Sequence, residues 1–195
     1  MLNNILQTIN AKGYVLFTRP FELNIVGVRS RNARPNAFDD TIHVFYQRAD
    51  KQWVHNAFAA TTDPGTYWLK KLMNPAGTAI LQPGQYLNAY RIGVHRNKYQ
   101  ALVQQGPVTV IRDANQDGWL NFDSATTQTG LFGINIHRAA VKGKTQYVND
   151  HSAGCQVLAD ANDFHLLMEL AQRHKKWYGN NFTYTLLAEQ DIVMK

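Results

Sequence analysis

The sequence contains a single cysteine, Cys155, among its 195 residues. A lone cysteine excludes an intramolecular disulfide and a cysteine-rich zinc site. The histidine-glutamate motifs of zinc peptidases are also missing, and no glycine-rich loop carries the Lys-Ser/Thr pair of a phosphate-binding loop. We therefore expect neither a metal nor an organic cofactor, so any chemistry has to come from ordinary side chains.

Long hydrophobic runs are absent as well. No stretch approaches the ~20 consecutive apolar residues that cross a bilayer, so we expect no membrane span. The segment that begins at Met1 lacks the basic start and apolar run of a secretory signal. Action on the cell wall or in the periplasm would then depend on another export route, or on a leader that this sequence does not include.

The chain is basic, with a formal net charge of +6 and a sequence pI of about 9.5. This charge favours approach to an anionic partner. The lysines and arginines are scattered as pairs and single residues, however, and do not form the basic stripe interleaved with aromatics that is typical of a nucleic-acid binder. We predict no nucleic-acid partner.

Hydrophobic residues make up 45% of the chain and are spread along its length, which predicts one domain over residues 1–195. Leu2, Ile5, Leu6 and Ile9 recur at helical spacing before Gly13 and predict a short helical lead within residues 1–20. A second helix is predicted after Cys155, with Asp160 or Asn162 as its N-cap and Gly179 at its end.

Between the two helices the sequence consists of short runs rich in β-branched and aromatic residues, separated by turn residues. The predicted strands cover residues 22–28, 41–47, 53–60, 85–94, 108–112 and 130–136, and a closing strand covers 182–186. We predict a mainly β fold, a mixed sandwich or barrel-like arrangement, with one late α-helix and a short N-terminal helix.

Cys155 follows the small-residue turn Ser152-Ala153-Gly154, which exposes the sulfur and leaves backbone N–H groups for a developing oxyanion. His137 lies at the end of the predicted strand 130–136. An imidazole within hydrogen-bond reach of a thiol raises its thiolate fraction. Cys155 and His137 are therefore the candidate nucleophile and base, although a buried structural cysteine and a packed histidine are the simpler alternative.

These residues resemble the catalytic domain of the L,D-transpeptidase family, whose signature is a histidine, a loop and then Ser/Thr-His-Gly-Cys. Here the cysteine follows the histidine by 18 residues (155 − 137 = 18), and Ser152, Gly154 and Cys155 match three of the four final positions. Residues 77–92 look like a divergent form of the segment that the family writes TPTGTF. The similarity covers residues 40–160.

The resemblance implies a role for each matching residue. Cys155 is the nucleophile, His137 its general base, and the backbone carbonyl of Arg138 orients the histidine. The N–H groups of Gly154 and Cys155 form the oxyanion hole, and Ser152 shapes the turn. Ala153 departs from the family's second histidine, and Gln156-Val157 departs from the pair that usually follows the cysteine.

The implied reaction is acyl transfer on peptidoglycan stem peptides through a Cys155 thioester, as in an L,D-transpeptidase or L,D-carboxypeptidase of bacterial or phage origin. One alternative is a wall-lytic toxin or phage lysin with the same chemistry. Another is a non-catalytic wall-binding module with a decayed site, which the departures at Ala153 and Gln156 favour.

Two further features have competing interpretations. His151 is the rival base because it also precedes Cys155 closely, but the strand-end position and the family spacing favour His137. His43, His55 and His95 are interpreted as packed or surface residues.

The loop from Asp113 to Asp123 begins like a calcium-binding loop, yet it has Ser124 where a bidentate glutamate belongs, so a polar hairpin turn is the simpler interpretation.

Overall fold

The computed structural model describes residues 1–192 and confirms a mainly β fold with a late helix and a short N-terminal one. The helices are α1 (Leu2–Ala11), α2 (Thr66–Lys70) and α3 (Ala161–Tyr178). The strands are β1 (Asn24–Arg29), β2 (Asp40–Gln47), β3 (Trp53–Thr61), β4 (Thr78–Leu81), β5 (Gly84–His95), β6 (Tyr99–Gln104), β7 (Val108–Asp113), β8 (Thr127–Gly130), β9 (Ile136–Arg138), β10 (Gln156–Leu158) and β11 (Phe182–Ala188).

Eight strands close into a barrel in the order β1-β11-β5-β6-β9-β10-β3-β2. The pairs β1–β11 and β9–β10 are parallel, and the other neighbours are antiparallel. A closed barrel satisfies its own strand edges, so two strands as short as β9 and β10 can be held in register by long neighbours.

A second sheet of three antiparallel strands, in the order β4-β7-β8, lies beside the barrel. Buried residues of this sheet belong to the same hydrophobic core as the barrel, including Ala79, Leu81, Val108 and Val110. The barrel and the small sheet are therefore joined by continuous packing.

The two longer helices, α1 and α3, follow from their sequence signals. The carboxylate of Asp160 accepts a hydrogen bond from the N–H of Asn162 at 2.8 Å, which makes Asp160 the N-cap of α3. Gly179 has a positive φ of 88° and ends the helix, as predicted. In α1, Ile5 and Ile9 are almost fully buried in a second cluster on the outer face of the barrel.

The strand predicted over residues 130–136 is wrong. The structure leaves the chain between β8 and β9 irregular, because the backbone N–H groups of Phe132 and Ile134 donate to the side-chain oxygen of Gln104 at 3.0 and 2.9 Å. A single glutamine side chain thus replaces a neighbouring strand as their partner. His137 consequently lies in the middle of the short strand β9 and not at the end of a longer one.

The sequence interpretation also missed six elements, which are β4, β6, β8, β9, β10 and α2. All of them except β6 have three to five residues, too few for periodicity to be read from sequence. Among the helices of residues 1–192, none is long and apolar enough to cross a membrane.

Candidate active site

The candidate site lies at the parallel pair β9–β10, where His137 is in register with Val157. Cys155 precedes Val157 by two residues, and side chains two apart along an extended chain point to the same face. The N–H of Gln156 donates to the carbonyl of Asn135 at 2.8 Å and carries the pairing back towards the cysteine. Cys155 and His137 therefore project from the same side of the barrel wall, and both line one cavity.

A tight turn presents Cys155. Ser152 is fully buried, its hydroxyl donates to the carbonyl of Cys155 at 2.8 Å, and it accepts from the N–H of Gly154 at 3.2 Å. Gly154 has a φ of +117°, and a Cβ at this position would lie 2.3 Å from the carbonyl oxygen of Ala79. The turn therefore requires glycine before the cysteine, for reasons of both φ and space.

The two N–H groups expected to form the oxyanion hole differ in their resting hydrogen bonds. The Gly154 N–H is already engaged by Ser152 Oγ, so it is not a free donor. The N–H of Cys155 makes no hydrogen bond within residues 1–192 and lies next to the sulfur. The Cys155 N–H is thus the turn donor that remains for a developing negative charge.

His137 is buried, with 4% of its surface exposed. Its Nδ1 lies 2.9 Å from the backbone carbonyl of Arg138, and a carbonyl can only accept, so Nδ1 carries the proton. The hydroxyl of Tyr99 donates to the same carbonyl at 3.3 Å. Burial, followed by the nearby His95, lowers the pKa of His137 to about 3. The imidazole is therefore neutral at physiological pH, with Nε2 as the basic nitrogen.

The cysteine does not make the predicted contact with this imidazole in the resting structure. The sulfur donates to the carbonyl of Gly133 and accepts from the N–H of Asn135, both at 3.4 Å. Within residues 1–192 no hydrogen bond joins it to His137. Burial raises the pKa of Cys155 to about 11, against the lowering effects of the Asn135 N–H and Arg96. The resting thiol is therefore protonated and is bonded to the backbone of residues 133 and 135.

His95 is a site residue that the sequence interpretation treated as packing. Its ring stacks on His137 with centroids 4.2 Å apart and an angle of 22° between the planes. Asn135 Oδ1 accepts from the N–H of Gln104 at 2.9 Å, which fixes the amide orientation, so Asn135 Nδ2 donates to His95 Nδ1 at 3.0 Å. A hint was present in the sequence, because His95 precedes the turn residues Arg96 and Asn97.

That turn explains how β5 brings His95 to the site. Arg96 and Asn97 have φ values of 50° and 55°, and the N–H of Lys98 donates to the carbonyl of His95 at 2.9 Å. Two successive residues with positive φ make the tight hairpin that suits the twist of antiparallel strands. The hairpin also projects Arg96 into the lining of the cavity.

The cavity has a volume of about 480 Å³ and is enough for a short peptide segment. Met73 and Leu131 line it and are 66% and 67% exposed, so the cavity opens to solvent. Its charged and titratable lining residues, apart from the cysteine, are His95, Arg96, Arg112, His137, Asp150 and His151. The rival base His151 thus lies in the same cavity as His137, but no hydrogen bond within the described residues fixes its ring.

Gln156, which departs from the family pattern, is a fully buried residue with a defined role. Its amide nitrogen donates to the carbonyl of Gly154 at 3.2 Å, and its oxygen accepts from the hydroxyl of Tyr184 at 2.8 Å. Gln156 therefore anchors the cysteine turn to β11 on the other side of the core. The departure at Gln156 was an argument for a non-catalytic module with a decayed site. The defined role of Gln156 in the turn weakens that argument.

Behind the turn lies a buried ion pair. Arg29 and Asp63 are 2.8 Å apart, and Arg29 also donates to the carbonyl of Thr62 at 2.9 Å. The N–H of Gly65 then donates to the carbonyl of Ser152 at 2.8 Å. This network fixes the chain that follows β3 against the turn that carries the cysteine.

The loop from Asp113 to Asp123 connects β7 with the short turn before β8. Asp113 and Asp117 accept hydrogen bonds from the backbone N–H groups of Asn121 and Trp119 at 3.1 and 2.8 Å. Within residues 1–192 no group of three acidic, histidine or cysteine side chains is arranged to hold a metal ion. The carboxylates serve the loop as internal acceptors.

No family model, no curated protein and no solved structure matches the chain.

Proposed function

We propose that the chain is a cysteine-dependent enzyme of the L,D-transpeptidase type that performs acyl transfer or hydrolysis on peptidoglycan stem peptides. The observation that carries the proposal is the shared cavity, in which the sulfur of Cys155 and a neutral, oriented His137 face the same space. The motif residues from Ser152 to Cys155 support the choice of substrate, because their arrangement resembles that of the family.

The first step joins the thiol to a substrate carbonyl. His137 Nε2 accepts the proton of Cys155, and the sulfur forms a bond to the carbonyl carbon that precedes the terminal D-amino acid. The carbonyl oxygen gains negative charge, which the Cys155 N–H is positioned to stabilise. The C–N bond then breaks, His137 returns the proton to the leaving amine, and a thioester remains.

The second step removes the acyl group. An amine attacks the thioester carbonyl to form a new amide, or water attacks it to form a carboxylic acid, and in both cases the sulfur leaves and regains a proton. Transpeptidation and carboxypeptidation therefore differ only in the acceptor. A phage lysin or a wall-directed toxin would use the same two steps in another biological context.

The resting thiol has to turn before it can react. The sulfur leaves the carbonyl of Gly133 and rotates about the Cα–Cβ bond of Cys155 towards His137, a change of one side-chain torsion. Hydrogen bonds at catalytic sites are often formed only when the substrate is present. Because the pKa of Cys155 is about 11 and that of His137 is about 3, proton transfer to the imidazole is coupled to attack on the substrate and does not precede it.

The direct test uses disaccharide-tetrapeptide as the substrate. The expected results are release of D-alanine or its exchange with an added D-amino acid, and an acyl-protein adduct on Cys155 by intact mass spectrometry. Cys155→Ala should abolish all three signals. His165→Gln is a suitable control because His165 is an exposed histidine on α3, outside the cavity.

Turnover that persists in Cys155→Ala would rule out the cysteine chemistry. Complete inactivity of the wild-type chain on tetrapeptide, pentapeptide and cross-linked muropeptides would instead favour the second candidate, a non-catalytic wall-binding module. That candidate is favoured by the bond between the sulfur and Gly133 and by the raised pKa of Cys155. It predicts stem-peptide binding that is equal in the wild type and in Cys155→Ala.

A further inference from the structure

The cavity contains a buried cation that the cysteine chemistry does not use. Arg112 lies on β7, lines the cavity, and is only 8% exposed. Its guanidinium lies over the ring of Phe132, 4.6 Å from the centroid. Desolvation lowers the pKa of Arg112 from its ordinary value, yet a guanidinium keeps its charge in proteins. A full positive charge is therefore buried in the wall of the cavity.

The hydrogen bonds of Arg112 leave part of this cation unsatisfied. Nε donates to the side-chain oxygen of Gln128 at 2.9 Å, and Nη1 donates to the carbonyl of Gly77 at 3.1 Å. Both partners are neutral. In the part of the chain that the structure describes, Nη2 has no hydrogen-bond partner and no carboxylate forms an ion pair with Arg112.

A second buried arginine shows what the fold does elsewhere with such a charge. Arg29 is 5% exposed, and the carboxylate of Asp63 lies 2.8 Å from it. An unpaired buried charge is costly, and a partner within hydrogen-bond distance offsets that cost. Arg112 is 8% exposed and has no carboxylate partner among residues 1–192, and its free donors belong to a residue of the cavity wall.

The position of Arg112 relative to the nucleophile is fixed by the small sheet. Arg112 pairs with Ala79 across β7 and β4, and the carbonyl of Ala79 is the group against which Gly154 packs. The turn that carries Cys155 and the strand that carries Arg112 are thus separated by the single strand β4. The two hydrogen bonds of Arg112 and the Phe132 ring hold the guanidinium plane, so the guanidinium is ordered before any ligand arrives.

The charge of the remaining lining favours an anionic ligand. Arg96 is exposed at the hairpin turn and adds a second positive charge, and Asp150 is the one acidic residue that residues 1–192 contribute to the lining. A planar guanidinium with adjacent free N–H groups matches the geometry of a carboxylate. An extended peptide that presents its reactive carbonyl to Cys155 would place a carboxylate in the same cavity.

We infer that Arg112 is the carboxylate-binding residue of this site and selects stem peptides that carry a free carboxylate close to the scissile bond. The inference rests on the proposed function, and it deepens that function by restricting the substrate. Two carboxylates of a stem peptide flank the scissile bond: the α-carboxylate of the terminal D-amino acid, and the side-chain carboxylate of a dicarboxylic diamino acid. Both present the same chemistry to the guanidinium.

The experiment measures binding without turnover. Cys155→Ala is titrated by calorimetry with three tetrapeptides: one with both carboxylates free, one with a C-terminal carboxamide, and one with the diamino-acid carboxylate amidated. Amidation of the carboxylate that Arg112 binds should weaken affinity about tenfold to a hundredfold, because a charge-assisted hydrogen bond is lost. The peptide that shows the loss identifies the source.

The same titrations are repeated with Arg112→Gln and Arg112→Lys in the Cys155→Ala background. Arg112→Gln should bind the free and amidated peptides equally, whereas Arg112→Lys, which keeps the charge but not the planar donors, should retain part of the preference. Arg91→Gln is the matched control, because Arg91 is an exposed arginine on β5 outside the cavity. A substitution that merely loosens the fold would weaken all three peptides alike.

The two hypotheses fail in different ways. D-alanine release by the wild type together with equal affinity for free and amidated peptides would overturn the role of Arg112 and leave the proposed function in place. A carboxylate preference that depends on Arg112 in a chain without turnover would overturn the enzyme and retain the binding residue. If Arg112→Gln does not fold, the three peptides on the Arg112→Lys protein still decide the matter, since an undiminished preference there contradicts bidentate recognition.

Discussion

The barrel contains two stacked histidine pairs that look alike and differ in their hydrogen bonds. His43 and His55 lie on β2 and β3, with ring centroids 5.1 Å apart and planes inclined by 15°. The corresponding values for His95 and His137 are 4.2 Å and 22°. In the first pair, Nδ1 of His43 and Nε2 of His55 lie 2.9 Å apart and bond to each other.

The second pair makes no such bond between its own rings. Nδ1 of His95 is held by Asn135, and Nδ1 of His137 is held by the carbonyl of Arg138. The Nε2 atoms make no hydrogen bond within residues 1–192, and both rings line the cavity. A histidine pair that bonds internally stabilises a sheet, whereas a pair oriented from outside keeps two nitrogens available to a ligand.

The largest expected difference between the pairs is in turnover. His137→Gln removes the general base and should lower kcat/KM for D-alanine release roughly 10²- to 10⁴-fold. His43→Gln should change kcat/KM by no more than about twofold, because His43 lies outside the cavity. Equal losses in both variants would erase the functional distinction between the pairs.

The second difference concerns the thiol of Cys155, which lines the same cavity as His95 and His137, the cavity pair. A pKa of about 11 means that Cys155 should react with iodoacetamide roughly a hundredfold more slowly at pH 7.5 than a free thiol of pKa about 8.5. The rate should rise steadily towards pH 11. His137→Gln should leave this profile unchanged, since the resting sulfur is not bonded to the imidazole.

A plateau of alkylation below pH 7 in the wild type would show a thiolate paired with an imidazolium. That result would contradict the neutral resting state of the cavity pair. His43→Gln provides the control, because the other pair lies outside the cavity and should leave the alkylation rate unaffected.

The third difference is in the stability of the fold as a function of pH. Burial lowers the pKa of His137 to about 3 and that of His43 to about 4, from 6.5. Each contribution is full above about pH 6.5, where the unfolded imidazole is also neutral, and is lost as pH falls towards the folded-state value. The loss should be of order 3 kcal/mol for each histidine.

Urea unfolding at pH 7.5 and pH 4.5 measures this loss. His43→Gln should unfold with a smaller difference between the two pH values than the wild type, since its share of the proton uptake is gone. An identical difference in the wild type and the variant would mean that His43 does not titrate on unfolding. NMR titration of the histidine ring protons would then locate the responsible groups.

The smallest effect distinguishes the two members of the cavity pair. His95→Ala removes the ring that stacks on His137 and should lower kcat/KM about tenfold, whereas His95→Phe keeps a stacking ring and should restore most of it. The pH dependence of kcat/KM in His95→Phe should differ from that of the wild type only on the acidic side, because the substitution removes one of the groups that lower the pKa of His137. A loss in His95→Phe as large as in His137→Gln would make His95 a second proton carrier.

The sequence predicted the regular parts of the structure well. Runs of β-branched and aromatic residues between turn residues located β2, β3, β5 and β7 to within a few residues, and Asp160 and Gly179 marked the ends of α3. The prediction failed between β8 and β9, where the partner of the backbone is the side chain of Gln104. A hydrogen bond between a backbone and a distant side chain leaves no periodic trace in the sequence.

The sequence pointed to only part of the candidate site, because the other residues reach it through contacts between distant parts of the chain. The small-residue turn and the resemblance to the family pointed to Cys155 and His137, and the carbonyl that orients His137 belongs to the next residue, Arg138. His95 and Arg112 come from β5 and β7 and reach the cavity only through strand pairing. The motif did not indicate that the hydroxyl of Ser152 accepts from the Gly154 N–H, and the role of this N–H in an oxyanion hole stays a prediction.

By itself, then, the sequence determined a mainly β chain with two capped or glycine-terminated helices and a glycine turn that presents one cysteine. These features depend on residues close together along the chain, where φ preference and side-chain alternation act directly. Only the tertiary structure decided that His95 stacks on His137, that the sulfur rests on Gly133, and that Arg112 is buried with no carboxylate of residues 1–192 beside it. Each of these depends on barrel closure and strand register, which bring together groups that are distant in sequence.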